Sequence, residues 1–531
     1  MEGVTQIAAA PGISVHASQL YSGGIQMNKP RWALLSVLLL SALCLAQDSR
    51  TLAIRSWRQA NEHAIISEYV EFLKIPNLAA DPASLRRNAA TIQQMFEKRG
   101  VKSRLLELPG IAPAVYGEIM TPGATRTVML YAHYDGQPLD PKEWASPPFE
   151  PTLRDAPLDN GGKVIPFPAQ GQPFGPEWRI YARGSGDDKV NIMLFMAALD
   201  ALRANKVPFK SNIKFIVEGE EEAGSPHLTD YMRQNKELLS ADVWLICDGP
   251  MDQSRRQNIV FSVRGVQIVD VTVYGARHEL HSGHYGNWAP NPAMMLAQLM
   301  ASMKDENGRV LIDHFYDGVQ PFGELEKKAI AEAPQNDAKL KHDLWLGRTD
   351  GNGAPLLELI ALPSLNIRGM ASSRMGAQAS NVIPATASAT IDLRLVRGID
   401  KQVQAQRLIE HIRKQGYFVV DKDPDEQTRL SHPKVAKVVV DTGGYNAAGS
   451  PMDLPISKLV IQAVENARGP VIKLPVLGAS VPLFMIQEVL GSATIQVSTA
   501  NHDDNQHSYN ENIRIQNIWD GIETIAALMT M

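Results

Sequence analysis

Short, largely apolar runs alternate along this chain with stretches of helical periodicity. Val128–Ala132, Ile213–Val217 and Val243–Cys247 read as buried strands. Lys189–Leu202 reads as a helix with Ile192, Phe195, Met196, Leu199 and Leu202 on one face. From Ala60 to about Lys98 the pattern is helical, with Ile65, Ile66, Tyr69, Phe72 and Leu73 at three/four spacing. Strands this rich in apolar residues are covered on both faces, and their alternation with helices predicts an α/β fold built on a doubly wound, mostly parallel sheet.

Around Phe261 the pattern changes. Val266–Gly275 (VQIVDVTVYG) reads as a strand with apolar residues on both faces, followed by a helix at about Asn291–Met303. SLNIRGM, the strand ASATIDLRLV and the helix KQVQAQRLIEHIRKQG follow. This predicts a smaller α/β domain inserted at 261–443, a lid or dimerisation module. The helix Ile456–Ala467 and the strand Thr494–Val497 resume the first domain, which therefore spans 47–260 and 444–531. Residues 136–178 form a long Pro- and Gly-rich loop, and 317–358 a polar insertion within the smaller domain.

At 531 residues the chain exceeds what one core supports. Its net charge of -5 carries no nucleic-acid footprint. Residues 1–26 carry little structural signal, and Met27 reads as the true start. From there Lys29 and Arg31 precede the apolar run Ala33–Leu45, with small Ala46 before Gln47. This is the pattern of a signal peptide at 27–46, and it predicts export to the periplasm or beyond. The run is short of the ~20 apolar residues that span a bilayer, so no stable membrane insertion is expected. Of the two cysteines, Cys44 lies in the leader, which leaves Cys247 and no internal disulfide.

The chemistry is concentrated just past the apolar runs. TVMLYAHYD ends in His133 and Asp135, WRIYARGSGDDK carries Asp187 and Asp188, and IKFIVEGEEEAGS carries Glu220, Glu221 and Glu222. VWLICDG adds Asp248, and IQVSTANHDDNQHS adds His502 and His507. Open α/β sheets bind ligands beyond the carboxyl ends of their strands, so these groups converge on one site. So many carboxylates share a pocket only if cations neutralise them. Imidazole and carboxylate donors without a thiolate cluster suit zinc, cobalt or manganese.

In that order and spacing, from about residue 60 to 531, the blocks resemble the zinc-peptidase family of carboxypeptidase G, acetylornithine deacetylase, succinyl-diaminopimelate desuccinylase and carnosine dipeptidase. The resemblance implies two divalent ions per chain, zinc foremost and manganese or cobalt otherwise. It implies His133, Asp187, Glu222, Asp248 and His507 as ligands, with Asp187 bridging the ions and a cis peptide after it. It makes Glu221 the general base and has Asp135 orient the His133 imidazole. ARGSGDDKV departs from the family's GRG-x-x-D-D-K-G at Ala182 and Val190. Glu220 adds a third acid to the block, and Gly224-Ser225, matching the family's E-E-x-G-S, fixes its register in favour of Glu221 and Glu222; His502 is the rival of His507.

HELHSGHYG resembles the family's D-L-H-S-G block, with Glu279 in place of Asp. By resemblance His281 reaches the partner subunit's site in a homodimer and steadies the oxyanion. Arg394, out of phase with Ile391, Leu393 and Leu395, matches an arginine that grips a substrate carboxylate. Asn381 and the loop Gly478-Ala479-Ser480 match substrate contacts, with Ala479 a departure from Gly-Gly-Ser. The function implied is two-metal hydrolysis of dipeptides or short peptides bearing a free C-terminal carboxylate. An N-acyl-amino-acid deacylase uses the same machinery, and a non-catalytic metal-binding periplasmic protein is the reading from another class.

Overall fold

The computed structural model describes residues 49–478 and 483–531. Residues 1–46, with the expected leader, and Ser480 lie outside the described residues.

Four parallel strands form the centre of an eight-stranded sheet: Asn212–Glu218, Thr127–His133, Val243–Ile246 and Ala493–Val497, in that spatial order. Ala114–Ile119 and then Lys102–Leu106 extend one side antiparallel. Asn258–Val260 extends the other antiparallel, with Ile472–Leu474 parallel beyond it. Along Thr127–His133, Val128, Leu130 and Ala132 enter one core, while Met129 and Tyr131 enter the other. Both faces are therefore buried, which is why the run is apolar throughout. The first core holds residues of the helices Ser49–Leu73, Lys189–Ala204, Pro455–Arg468 and Ile515–Met529. The second holds residues of Leu228–Gln234 and Leu483–Leu490. Leu130 is fully buried between these layers, and truncating it to alanine costs about 2–5 kcal/mol.

Two local readings change. The helical pattern from Ala60 to Lys98 is two helices, Ser49–Leu73 and Pro82–Lys98. Pro76 interrupts the first, and Asp81 caps the second by accepting the Ser84 N–H at 3.0 Å, with Pro82 in the first turn. Lys189–Ala204 is buried nearly all round rather than on one stripe, because it lies between the sheet and other helices.

The inserted domain has its own core. Its sheet runs Ser364–Ala371, Thr386–Leu395, Gly265–Tyr274, Val435–Val440, Phe418–Val420, with Pro292–Ala301 and Lys401–Lys414 packed into the same core. Val269, Val271 and Val273 of the central strand are fully buried there, whereas Asp270 on the opposite face is exposed. The expectation of apolar residues on both faces holds only for half-buried Val266 and Ile268; beyond them Asp270 and Thr272 make that face polar.

The two long insertions are structured. Within 317–358 lie the helices Glu324–Glu332 and Asp337–Asp343, and Ala329 packs into the main core. Within 136–178, Thr152–Arg154 pairs with Arg179–Tyr181, whose other edge pairs with Asn512–Arg514. This small three-stranded sheet holds the segment entering Asp187 against the segment leaving His507.

Candidate active site

The central parallel strands all end at one edge of the sheet in polar turns. Thr127–His133 delivers His133 as its last residue, and Asp135 follows. Asn212–Glu218 leads into the turn of Glu221 and Glu222, Val243–Ile246 into Asp248, and Ala493–Val497 into the loop of His507. Asp187 stands just before the helix Lys189–Ala204. Only glycine fits at 219, since a Cβ there would lie 2.4 Å from the Tyr134 ring.

Two triplets of donors result. His133, Asp187 and Asp248 bring ligand atoms within 4.8 Å of one another, as do Asp187, Glu222 and His507. Asp187 belongs to both: Oδ1 lies 2.9 Å from His133 Nε2, and Oδ2 lies 3.2 Å from His507 Nε2. His507 Nε2 is also 3.2 Å from Glu222 Oε2. Glu221 turns toward the first triplet, with Oε2 4.0 Å from His133 Nε2. Glu220 instead meets His227, Oε2 to Nδ1, at 2.9 Å. The geometry thus separates Glu221 and Glu222 from Glu220. His502 stands beside Asp503 at 3.8 Å and is in neither triplet, so the cluster takes His507.

Other side chains hold these groups. Asp135, fully buried, accepts the backbone N–H of Glu221 at 3.2 Å and of Glu222 at 3.0 Å. Its Oδ1 lies 3.3 Å from His133 Nδ1, close enough to hold the ring electrostatically. The Asp187–Asp188 peptide is cis. Glu511 grips that turn, accepting the N–H groups of Gly184, Gly186 and Asp187 at 2.8–2.9 Å and the Arg183 guanidinium at 2.8 Å. Gln137 Nε2 donates to Glu222 Oε2 at 2.7 Å, and Gln506 Nε2 to Asp187 Oδ2 at 3.3 Å.

Residues 129–531 match the model of peptidase family M20/M25/M40. The chain belongs to this family. It is 26% identical over 427 residues to human Beta-Ala-His dipeptidase, covering 78% of this chain and 77% of that protein. It is 24% identical over 437 residues to the Cys-Gly metallodipeptidase DUG1 of Candida albicans, 81% of this chain and 82% of the relative. Among solved structures, the M20 family metallo-carboxypeptidase Sso-CP2 from Sulfolobus solfataricus superposes with a TM-score of 0.69 at 26% identity, over 88% of this chain and 98% of that one. The chain is a peptide hydrolase of this family.

The residues present fit two cations. Four carboxylates (Asp187, Glu221, Glu222 and Asp248) face only two imidazoles. Burial, and then the neighbouring Asp187, push Glu222 up to about 7 and Asp248 up to about 6. Burial raises Glu221 well above the carboxylate range, with Asp248, Asp187 and Glu222 adding to it. His507 is pushed up to about 9, first by its hydrogen bond to Asp187. The cluster holds protons because its negative charge is in excess, and bound cations relieve the same excess. Oxygen and imidazole donors without sulfur suit zinc, manganese or cobalt.

His281, Asn381 and Arg394 lie on the inserted domain, and Gly478 lies beyond it, in the returning part of the main domain. His281 pairs with Val382 in a two-stranded ribbon, and the Ser282 N–H donates to the Asn381 carbonyl at 2.9 Å. The fold thus joins two residues that the sequence held far apart. His281 is exposed, lies with its ring tilted 38° to that of His284 at 4.5 Å and accepts the Gly283 N–H at 3.1 Å. That bond engages Nδ1 as the acceptor, so neutral His281 carries its proton on Nε2. Among the described residues, no ligand atom of either triplet is a partner of His281. Arg394 stands on the face opposite Ile391, Leu393 and Leu395, as its phase predicts, and its Nε donates to Asp392 at 3.1 Å. Gly478 is half-exposed beside Ile360.

Gln137, Gln506 and the gripping role of Glu511 were not read from the sequence. Gln137 follows Asp135 in HYDGQP, and Glu511 follows His507 in a block already singled out. Proximity in sequence was the available signal for both.

Proposed function

We propose that this protein hydrolyses dipeptides or short peptides next to a free C-terminal residue, using two divalent ions, zinc foremost. The carrying observation is Asp187, whose two carboxylate oxygens face two separate donor sets beside Glu221. His133, Asp187 and Asp248 would hold one ion, and Asp187, Glu222 and His507 the other. When bound, the pair supplies positive charge that polarises the scissile carbonyl and acidifies a water.

The chain's own residues do the rest. Glu221 takes the proton from the attacking water and returns it to the leaving amine. Its position supports this: the carboxylate stands beside the first triplet, Oε2 4.0 Å from His133 Nε2, without belonging to either triplet. Asp135 keeps the His133 ring and the Glu221–Glu222 turn in register. Arg394 receives the substrate's C-terminal carboxylate, with a planar fork that an ammonium does not offer.

The reading extends to an exported homodimer. Its dimeric part draws on the free edge strand Ser364–Ala371, six of whose eight residues are exposed, including Ile367 and Met370. Its export draws on Lys29, Arg31 and the apolar run Ala33–Leu45. Among the described residues no helix is long and apolar enough to cross a membrane.

Paired dipeptides, one with a free C-terminal carboxylate and one amidated, test the assignment on metal-loaded protein. The free acid should have a kcat/KM about 10–1000-fold higher, and Arg394→Lys should narrow that gap. Equal rates on both peptides would remove the C-terminal assignment.

A further inference from the structure

Glu221 and Glu222 are adjacent, share one turn and hang from one carboxylate. Asp135 takes both of their backbone N–H groups, at 3.2 and 3.0 Å. Asp135 thus holds the turn, from which the two side chains leave toward different sets of donors. Glu221 Oε2 faces His133 and Glu222 Oε2 faces His507, and one neutral side chain sets them further apart. Gln137 Nε2 donates to Glu222 Oε2 at 2.7 Å, whereas no side-chain hydrogen bond to the Glu221 carboxylate occurs among the described residues. The oxygen that Gln137 holds is the same one that lies 3.2 Å from His507 Nε2.

Gln137 is itself held in place. The Gly136 N–H before it donates to the Asn77 carbonyl at 2.9 Å, and a Cβ at Gly136 would meet the Asn77 amide at 2.8 Å. The donor thus hangs from a fixed backbone. The triplet it serves is the more open of the two: the His507 side chain is 54% exposed, and its backbone is left-handed at φ 60°. The His133 ring is fully buried. A ligand set with one exposed imidazole depends more on whatever orients its carboxylates.

We propose that Gln137 is a positioning residue for the second cation site: it orients the Glu222 carboxylate toward the ion shared with His507 and leaves Glu221 free to move a proton. The inference rests on the two-ion reading given above. An amide suits this task because it donates to a carboxylate without adding a charge that would repel the cation.

Calorimetric titration of chelator-stripped protein with zinc or manganese tests it without reference to turnover. Wild type should take up two equivalents. Gln137→Met keeps the side chain's size and removes the N–H. It should bind one equivalent as wild type does and the other about 10–100-fold more weakly. Gln137→Ala provides the same comparison if methionine disturbs the packing. Two equivalents bound with wild-type affinities would overturn the inference, as would both weakening together with a lowered melting temperature. Wild type binding fewer than two would instead sink the two-ion reading on which the inference rests.

Discussion

The carboxylate of Asp135 accepts the Glu222 backbone N–H at 3.0 Å, tying the end of one parallel strand to the turn that follows its neighbour. The other oxygen takes the Glu221 N–H and stands by His133. One buried acid therefore sets the positions of Glu221, Glu222 and His133 together. Asp135→Asn keeps the shape, but its amide nitrogen cannot accept one of the two N–H groups. A fall in kcat and in metal affinity of about 10–100-fold is expected, read by steady-state kinetics and metal analysis. Unchanged values for both would show that the contact is incidental.

Glu221 and Glu220 should behave oppositely. Glu221→Gln should lower turnover by about 10²–10⁴ while both ions stay bound, because it removes the base and keeps the volume. Glu220→Gln loses only its contact with His227 and should stay within a few-fold of wild type. Single-turnover assays with parallel metal analysis separate the two, and an inactive Glu220→Gln beside an active Glu221→Gln would reverse the assignment.

The metal-free protein should lose stability as pH rises. Buried Glu222 and Glu218 are pushed up to about 7, Asp504 to about 8 and Asp248 to about 6, all above their ordinary range near 4. Between those limits the folded chain binds more protons than the unfolded one, so stability falls with pH across the window. His507, raised to about 9, adds in the same direction: its contribution is full below about 6.5 and is lost through 9. Thermal melts of chelated protein from pH 5 to 9 should show a declining Tm, and added zinc or manganese should remove the decline. A Tm that rises over this range without metal would contradict the electrostatic picture.

Much of this was legible in the sequence, for a physical reason. A parallel strand buried on both faces is an unbroken apolar run, and it must stop where its ligands begin. His133 and Asp248 each stand at such a stop, so pattern located them, whereas the acidic block after Glu218 was located only as Glu220 to Glu222 and needed the resemblance for its register. Asp187 and His507 needed the resemblance, since their loops carry several acids and two histidines. Gln137 and Glu511 act across 85 and 327 residues of separation, through side chains that leave no periodic trace. The break between Leu73 and Pro82 was missed because helical spacing persists across it, while Pro76 and the Asp81 cap decide the matter. Val266–Gly275 hides its phase in the sequence, because its first residues are apolar on both sides before Asp270 makes one face polar.

His281 should act from a neighbouring subunit. It is exposed on the inserted domain and touches no ligand atom of its own chain among the described residues. His281→Ala and Glu221→Gln chains, each inactive alone, should recover part of the activity when mixed, since one hybrid site is then whole. Absence of recovery despite measured subunit exchange would place the histidine's role within its own chain or outside catalysis.

The central claim is that Asp187 sits between two cations. Chelator-stripped protein titrated with zinc or manganese and measured by elemental analysis tests it most directly. The account predicts about two ions per wild-type chain, and Asp187→Ala, which removes a ligand from both donor sets, should weaken both. A single ion in wild type, or an Asp187→Ala chain that still binds two with native affinity, would contradict it.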